Sequence, residues 1–236
     1  LASGWALLAA RTNAPSGRVT LSTRFEEDQE AVIAMLKMPG TAQLPLIPCS
    51  YFPLLDSVAH MVGAQDASTS TGAGGWMLIE GDLHGFSVRW PMWLAAALRE
   101  GRYSISPLEL WALLANTIIP TRLRKRAPHH YLTIFTDNES ARAAANRGRS
   151  HATTMNIIAQ EVAGVASRDD MTMRTLRIST KENETADNMS REGGIEAGRA
   201  LAKAMGVKFI EHEIAHDDPI WRLIVVVLEP PPSPTM

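Results

Sequence analysis

At 236 residues, with 45% apolar and 20% charged residues, the chain is long enough for one sizeable core with appendages, and its composition excludes disorder as the default state. A formal net charge of −2 provides no global attraction to a polyanion, so any nucleic-acid contact must come from local basic clusters. The single Cys49 excludes an internal disulfide and a cysteine zinc site, and points to a reducing intracellular setting, cytoplasmic or nuclear. No apolar stretch reaches the roughly 18 residues that span a bilayer, and no signal-peptide order opens the chain, so no membrane partner is expected.

Residues 1–10 are helical in composition and start mid-pattern with Leu1, which suggests a piece cut from a longer polyprotein. A turn-rich link follows at 11–19. Residues 25–38 put Glu26, Glu27 and Asp28 ahead of apolar spacing, the order expected of a helix whose acids face the positive end of its dipole. A Pro-rich connector at 39–48 leads to a domain boundary near residue 58.

From 60 to 90 the signals become those of strands. Three runs, 61–67, 75–80 and 84–90, are separated by glycines at 72–75, read as a hairpin turn, and by Gly81 and Asp82, which predicts an antiparallel meander. Residues 106–118 carry Ser106 as a helix cap, Pro107 at the first helical position and Glu109 three residues after the cap, followed by a nearly all-apolar body. This predicts a buried helix. Residues 131–137 read as a central strand, 139–147 and 155–166 as helices, 173–179 as a strand, and a helix starts near Ala186. Beyond Arg191 a helix is expected over 194–206, then two strand-like runs at 207–214 and 220–228 and a Pro-rich tail.

Four acids stand out in this order: Asp66 at the end of the first strand, Glu109 in the apolar helix, Asp137 at the end of the 131–137 strand, and Asp187 at the start of a helix. Each has an ordinary reading. Asp66 can start a turn, Glu109 can fold back onto the Ser106 backbone as a capping box, Asp137 can cap the helix at 139–147, and Asp187 can be a first-turn helix acid. Glu109 is the most telling, because a carboxylate inside an apolar helix demands a partner. Taken as an ordered set, with the sequences around them, the four resemble the ribonuclease H domain of retroelement reverse transcriptases of the LTR or tyrosine-recombinase type.

The resemblance covers roughly residues 60–192 and weakly the segment before it. It implies an α/β fold, a ribonuclease H-like mixed five-stranded sheet with flanking helices. Around it would lie a connector from the reverse transcriptase thumb over 1–58 and a C-terminal helix-hairpin appendage over 193–236, the nuclease itself occupying 59–192. It implies that Asp66, Glu109, Asp137 and Asp187 bind two Mg²⁺ ions, with Mn²⁺ a possible substitute, and that the RNA strand of an RNA/DNA hybrid is cut. Asp66 and Asp137 would touch both ions, Glu109 the one near the leaving group, and Asp187 the one that activates water. Convergent carboxylates repel one another without metal, so such a set is costly as a purely structural device.

Ser68, Asn138 and Asn183 lie beside the acids and are candidates for contacts to sugars, where a 2′-hydroxyl distinguishes RNA from DNA. Arg142, with Arg147, Arg149 and the basic run at 122–126, is a candidate for phosphates. Partners implied are the hybrid and the polymerase domain of the same polyprotein. Cellular members carry a mobile His shortly before the final acid, whereas residues 179–185 contain none, which leaves Glu182 or Glu184 as its replacement. The alternative function is a non-catalytic module of the same fold that binds hybrid or braces the polymerase.

Two further patterns invite other chemistry. His212, Glu213 and His216 spell a zinc-protease motif, but strand-like alternation and the break at Asp217, Asp218 and Pro219 argue against the helix it requires. The glycines at 72–75 lack the Lys-Ser or Lys-Thr and the following helix of a nucleotide-binding loop. Sequons at Asn138, Asn183 and Asn188 are coincidental without a secretory signal.

Overall fold

The computed structural model describes residues 60–123 and 130–228. The expected connector over 1–58 and the basic residues 124–126 lie outside that range. Six strands form one mixed sheet: β1 (His60–Ala67), β2 (Gly72–Ile79), β3 (Asp82–Arg89), β4 (His130–Thr136), β5 (Met171–Arg177) and β6 (Phe209–Glu211), in the order β5-β4-β1-β2-β3-β6. The first three make the expected antiparallel meander, while β4 runs parallel to β1, β5 to β4 and β6 to β3. The β2–β3 turn puts Glu80 at φ 52° and Gly81 at φ 88°, the left-handed pair that a two-residue hairpin needs.

Seven helices complete the described residues: α1 (Met92–Arg99), α2 (Ser106–Leu123), α3 (Glu139–Arg147), α4 (Thr153–Arg168), α5 (Glu184–Met189), α6 (Ile195–Met205) and α7 (Pro219–Leu228). Helix α2 lies on β1 and β2 with α3 and α4 beside it, whereas α5 and α6 rest on the meander and β6. Every residue from Pro107 to Thr117 is buried, which explains the lack of a polar face on α2: it is wrapped by the sheet and by its neighbouring helices. Trp90, Trp111 and Trp221 pack with ring centroids 4.9–6.1 Å apart, and the indole N–H of Trp111 donates to the Ile220 carbonyl at 2.8 Å. No helix among the described residues is long and apolar enough to cross a membrane.

Several expectations are corrected. The sheet has six strands, because residues 209–211 add to the edge of β3. The expected hairpin at the C-terminal end does not form, since 219–228 is helical despite its β-branched residues. Ile220, Trp221, Ile224, Val227 and Leu228 are buried at helical spacing. Asp218 caps the helix by accepting from the Ile220 N–H at 3.1 Å, and Pro219 opens it. Burial of that stripe outweighs the modest strand propensity of Val and Ile. Helix α1, which the sequence does not announce, buries Leu94, Ala97 and Leu98.

The glycines at 72–75 are not a turn. They pair along β2, with Gly72 opposite Arg89 and Gly74 opposite both Asp66 and Ser87, while the turn falls at 68–71. A Cβ on Gly74 would overlap the carbonyl group of Met189, so the missing side chain is what lets α5 lie directly on the sheet. Replacing Gly74 with Ala is expected to cost about 1–3 kcal/mol by forcing α5 away. A chemical denaturation midpoint unchanged from the parent would show that the helix tolerates the displacement.

Candidate functional site

Strands β1 and β4 are parallel neighbours, so their C-terminal ends emerge on the same side. The register sets Ala64 opposite Phe135, and two residues further on this brings Asp66 level with Asp137. Helix α2 supplies Glu109 from its first turn. Oxygen atoms of Asp66, Glu109 and Asp137 all lie within 4.8 Å of one another. Three of the four predicted acids therefore converge.

The ordinary readings fail for two of them. The Ser106 N–H is taken by the Ser104 hydroxyl at 3.3 Å, and Glu109 is buried, its side chain accepting from the Ala67 backbone, so it forms no capping box. Helix α3 is capped by Asn138, whose Oδ1 accepts from the Ala141 N–H at 2.9 Å, which leaves the Asp137 carboxylate to accept from the Thr180 hydroxyl at 2.7 Å.

Burial, reinforced by the nearby Asp66 and Asp137 charges, pushes the Glu109 carboxyl up to about 9. Burial also raises Asp66 to about 6, against the Ser190 hydroxyl, which donates to Asp66 Oδ2 at 2.9 Å; Asp137 and Asp187 push the same way as burial. Glu109 Oε2 is buried with no hydrogen-bond partner. Such an orphaned carboxylate oxygen, grouped with two other carboxylates, is an acceptor that a bound cation would satisfy. The all-oxygen donor set fits a hard divalent ion such as Mg²⁺ or Mn²⁺ and not one that prefers sulfur or imidazole.

Asp187 does not join the three. Its two oxygens receive the Arg191 guanidinium at 2.7, 3.0 and 3.2 Å, an i,i+4 pair extending from α5. It still lies near enough to raise both Asp66 and Glu109. Helix α5 is clamped onto the sheet at its C-terminal end. The Ser87 hydroxyl donates to Met189 O at 2.7 Å and the Thr71 hydroxyl to Ser190 O at 2.9 Å.

The predicted substrate contacts have mostly internal roles. Asn183 is buried and donates to Gln65 O at 3.1 Å, tying the start of α5 to β1. Asn138 is a helix cap. Arg142 is bonded to Glu139 through both Nε and a terminal nitrogen. Ser68 lies in the β1–β2 turn with its hydroxyl 3.1 Å from that of Ser70, and Arg122 pairs with Asp218. Glu182 accepts from the Ser179 N–H and hydroxyl, which commits it to its own loop.

The structure adds Ser190 and Thr180, which hold Asp66 and Asp137 in place. Ser190 lies beside the Asp187 segment, but its reach across to Asp66 has no sequence signal, and Thr180 is one hydroxyl among many. His212 and His216 share no helix: His212 Nε2 is 2.8 Å from His84 Nδ1, and His216 packs on Trp221. The zinc-protease arrangement is absent.

No family model matches the chain. No curated protein matches it either. Among solved structures, the chain is similar to the N-terminal RNase H domain of a Mycobacterium tuberculosis protein, solved as a fusion with maltose-binding protein. The identity is 11%, the match covers 61% of this chain and 99% of that one, and the TM-score is 0.38.

Proposed function

We propose that this chain is a ribonuclease H-like domain of a retroelement reverse transcriptase that hydrolyses the RNA strand of RNA/DNA hybrids with two Mg²⁺ ions. The observation that carries the reading is the convergence of Asp66, Glu109 and Asp137 around an orphaned, buried carboxylate oxygen. The succession of three meander strands, the buried helix α2, a parallel strand, two helices, a parallel strand and a helix supports it, because the resemblance implies that order, to which this chain adds the short α1 ahead of α2.

Asp66, Glu109 and Asp137 would hold the ions, with Asp187 as the fourth ligand. The ions would supply charge neutralisation at the scissile phosphate and a more acidic bound water. The protein's share is positioning. Ser190 fixes Asp66, Thr180 fixes Asp137, and the buried α2 brings Glu109 to them, its carboxyl raised by burial so that a nearby cation would favour its ionised form. Of the two acids that could stand in for the missing mobile His, Glu182 is committed to Ser179, so the Glu184 carboxylate is the remaining candidate. The polymerase domain of the same polyprotein, in the cytoplasm or nucleus, would supply much of the hybrid affinity, since Arg142 and Asn138 are engaged internally.

Incubating the purified chain with a strand-labelled RNA/DNA hybrid tests this. RNA cut, DNA intact, and all cleavage lost in EDTA are the expected results. The second reading, a hybrid-binding or polymerase-bracing module without catalysis, is favoured by one observation, the ion pair that occupies Asp187. Hybrid retained in a binding assay with no cleavage at any Mg²⁺ concentration would establish it.

A further inference from the structure

Asp187 differs from the other three acids in having its own cation. Arg191 reaches back one turn and engages both carboxylate oxygens through Nε and a terminal nitrogen, and among the described residues its guanidinium bonds nothing else. The Arg191 side chain is 59% exposed and that of Asp187 26%, so the pair lies at the mouth of the site, where an i,i+4 contact is weak and replaceable. The interior of the site is different. Glu109 and Asp66 are 5% and 6% exposed, and among the described residues no guanidinium or ammonium bonds either of them or Asp137. Within one site, among the described residues, three acids have no bonded side-chain cation and one already has its own.

Resting on the metal-binding reading above, we propose that Arg191 is an internal counter-cation that makes metal binding sequential. The first ion enters among Asp66, Glu109 and Asp137. A second gains Asp187 only by displacing the guanidinium, so Arg191 sets the concentration at which the site is completed. The fixed positive charge acts twice, by occupying both oxygens and by repelling a dication nearby. Its displacement frees an exposed side chain and leaves no buried charge behind, so the exchange is reversible. Arg191 is a positioning residue here, bonded to Asp187 alone among the described residues, while its charge reaches Asp66 more weakly and without a bond.

Calorimetric titration of Mg²⁺ into the full chain, at constant ionic strength, reads this without any cleavage assay. The parent chain is expected to show two binding events, and Asp187→Asn only the first. Arg191→Gln should lower the midpoint of the second event roughly fivefold while moving the first by less than about twofold, with Arg191→Lys in between because an ammonium lacks the two-pronged fit. Should Arg191→Gln fold poorly by circular dichroism, Arg191→Lys carries the comparison. A second midpoint unchanged or raised in Arg191→Gln, with the first event intact, overturns the counter-cation role and leaves the metal site standing. No Mg²⁺ binding in the parent chain removes the metal site, and the role of Arg191 with it.

Discussion

Changing Asp137 to Asn should abolish RNA cleavage, lowering the rate by at least about a thousandfold, while leaving the fold at least as stable as before. The two halves of that result have one cause. Asp137 closes a triangle of carboxylates within 4.8 Å, and its charge raises both Asp66 and Glu109. Removing a charge from a mutually repelling set relieves strain in the metal-free protein, and the amide loses most of its capacity to bind a divalent ion. A carboxylate held only for its bond to Thr180 would behave differently, because the weaker acceptor of the amide, with no repulsion to relieve, would lower the unfolding midpoint. Loss of activity together with an unchanged or higher midpoint identifies a functional acid. Retained cleavage would remove Asp137 from the catalytic set.

Glu109→Gln is expected to stabilise the metal-free protein at pH 7 by up to roughly 3 kcal/mol and to remove its response to Mg²⁺. In the unfolded chain Glu109 ionises near 4.5, and in the fold near 9. The folded carboxyl therefore binds its proton more tightly. Its contribution to stability is fully present below about 4.5 and is lost as pH rises toward about 9. Asp66, raised from 3.8 to about 6, adds a smaller loss of the same sign at lower pH. Unfolding of the parent chain in EDTA should become progressively easier from about pH 5 to about pH 9, and the Glu109→Gln variant should lose most of that slope above about pH 6. Mg²⁺ at about pH 8 should then raise the melting temperature of the parent only. An equally steep pH dependence in the variant would mean that Glu109 is not the buried acid responsible.

The elements that can be read from the chain are those whose signals are local. Residues 139–147 match α3 to the residue, because their acid-first, base-last order and their following Gly148 mark both ends. The buried helix α2 is legible from its cap, Pro107 and nearly all-apolar body, and the parallel strand β4 from its β-branched and aromatic run. Where contacts from elsewhere decide the outcome, local signals mislead. Glycines 72–75 resemble a turn until α5 is laid on them, and residues 220–228 resemble a strand until Trp111 and α4 offer a surface for a helical stripe. Asp218 and Pro219 are a legible start signal for that helix, masked by the run of valines that follows.

By itself, the sequence determined the residue types and their order: an acid closing each of two strands, an acid inside an apolar helix, and a Ser190 and Arg191 following Asp187. Those choices specify donor chemistry and the strand and helix ends on which it sits. Only the tertiary structure decided the distances. Parallel pairing of β1 and β4 brings Asp66 level with Asp137, and burial of α2 delivers Glu109 to them. Asp187, on α5, stays outside that triangle and pairs with Arg191 one helical turn on. The physical reason is range: caps, turns and helix periods are settled by neighbours within a few residues. The electrostatics of the acidic cluster depend instead on groups separated by tens of residues along the chain, whose charges interact only once folding has excluded the water between them.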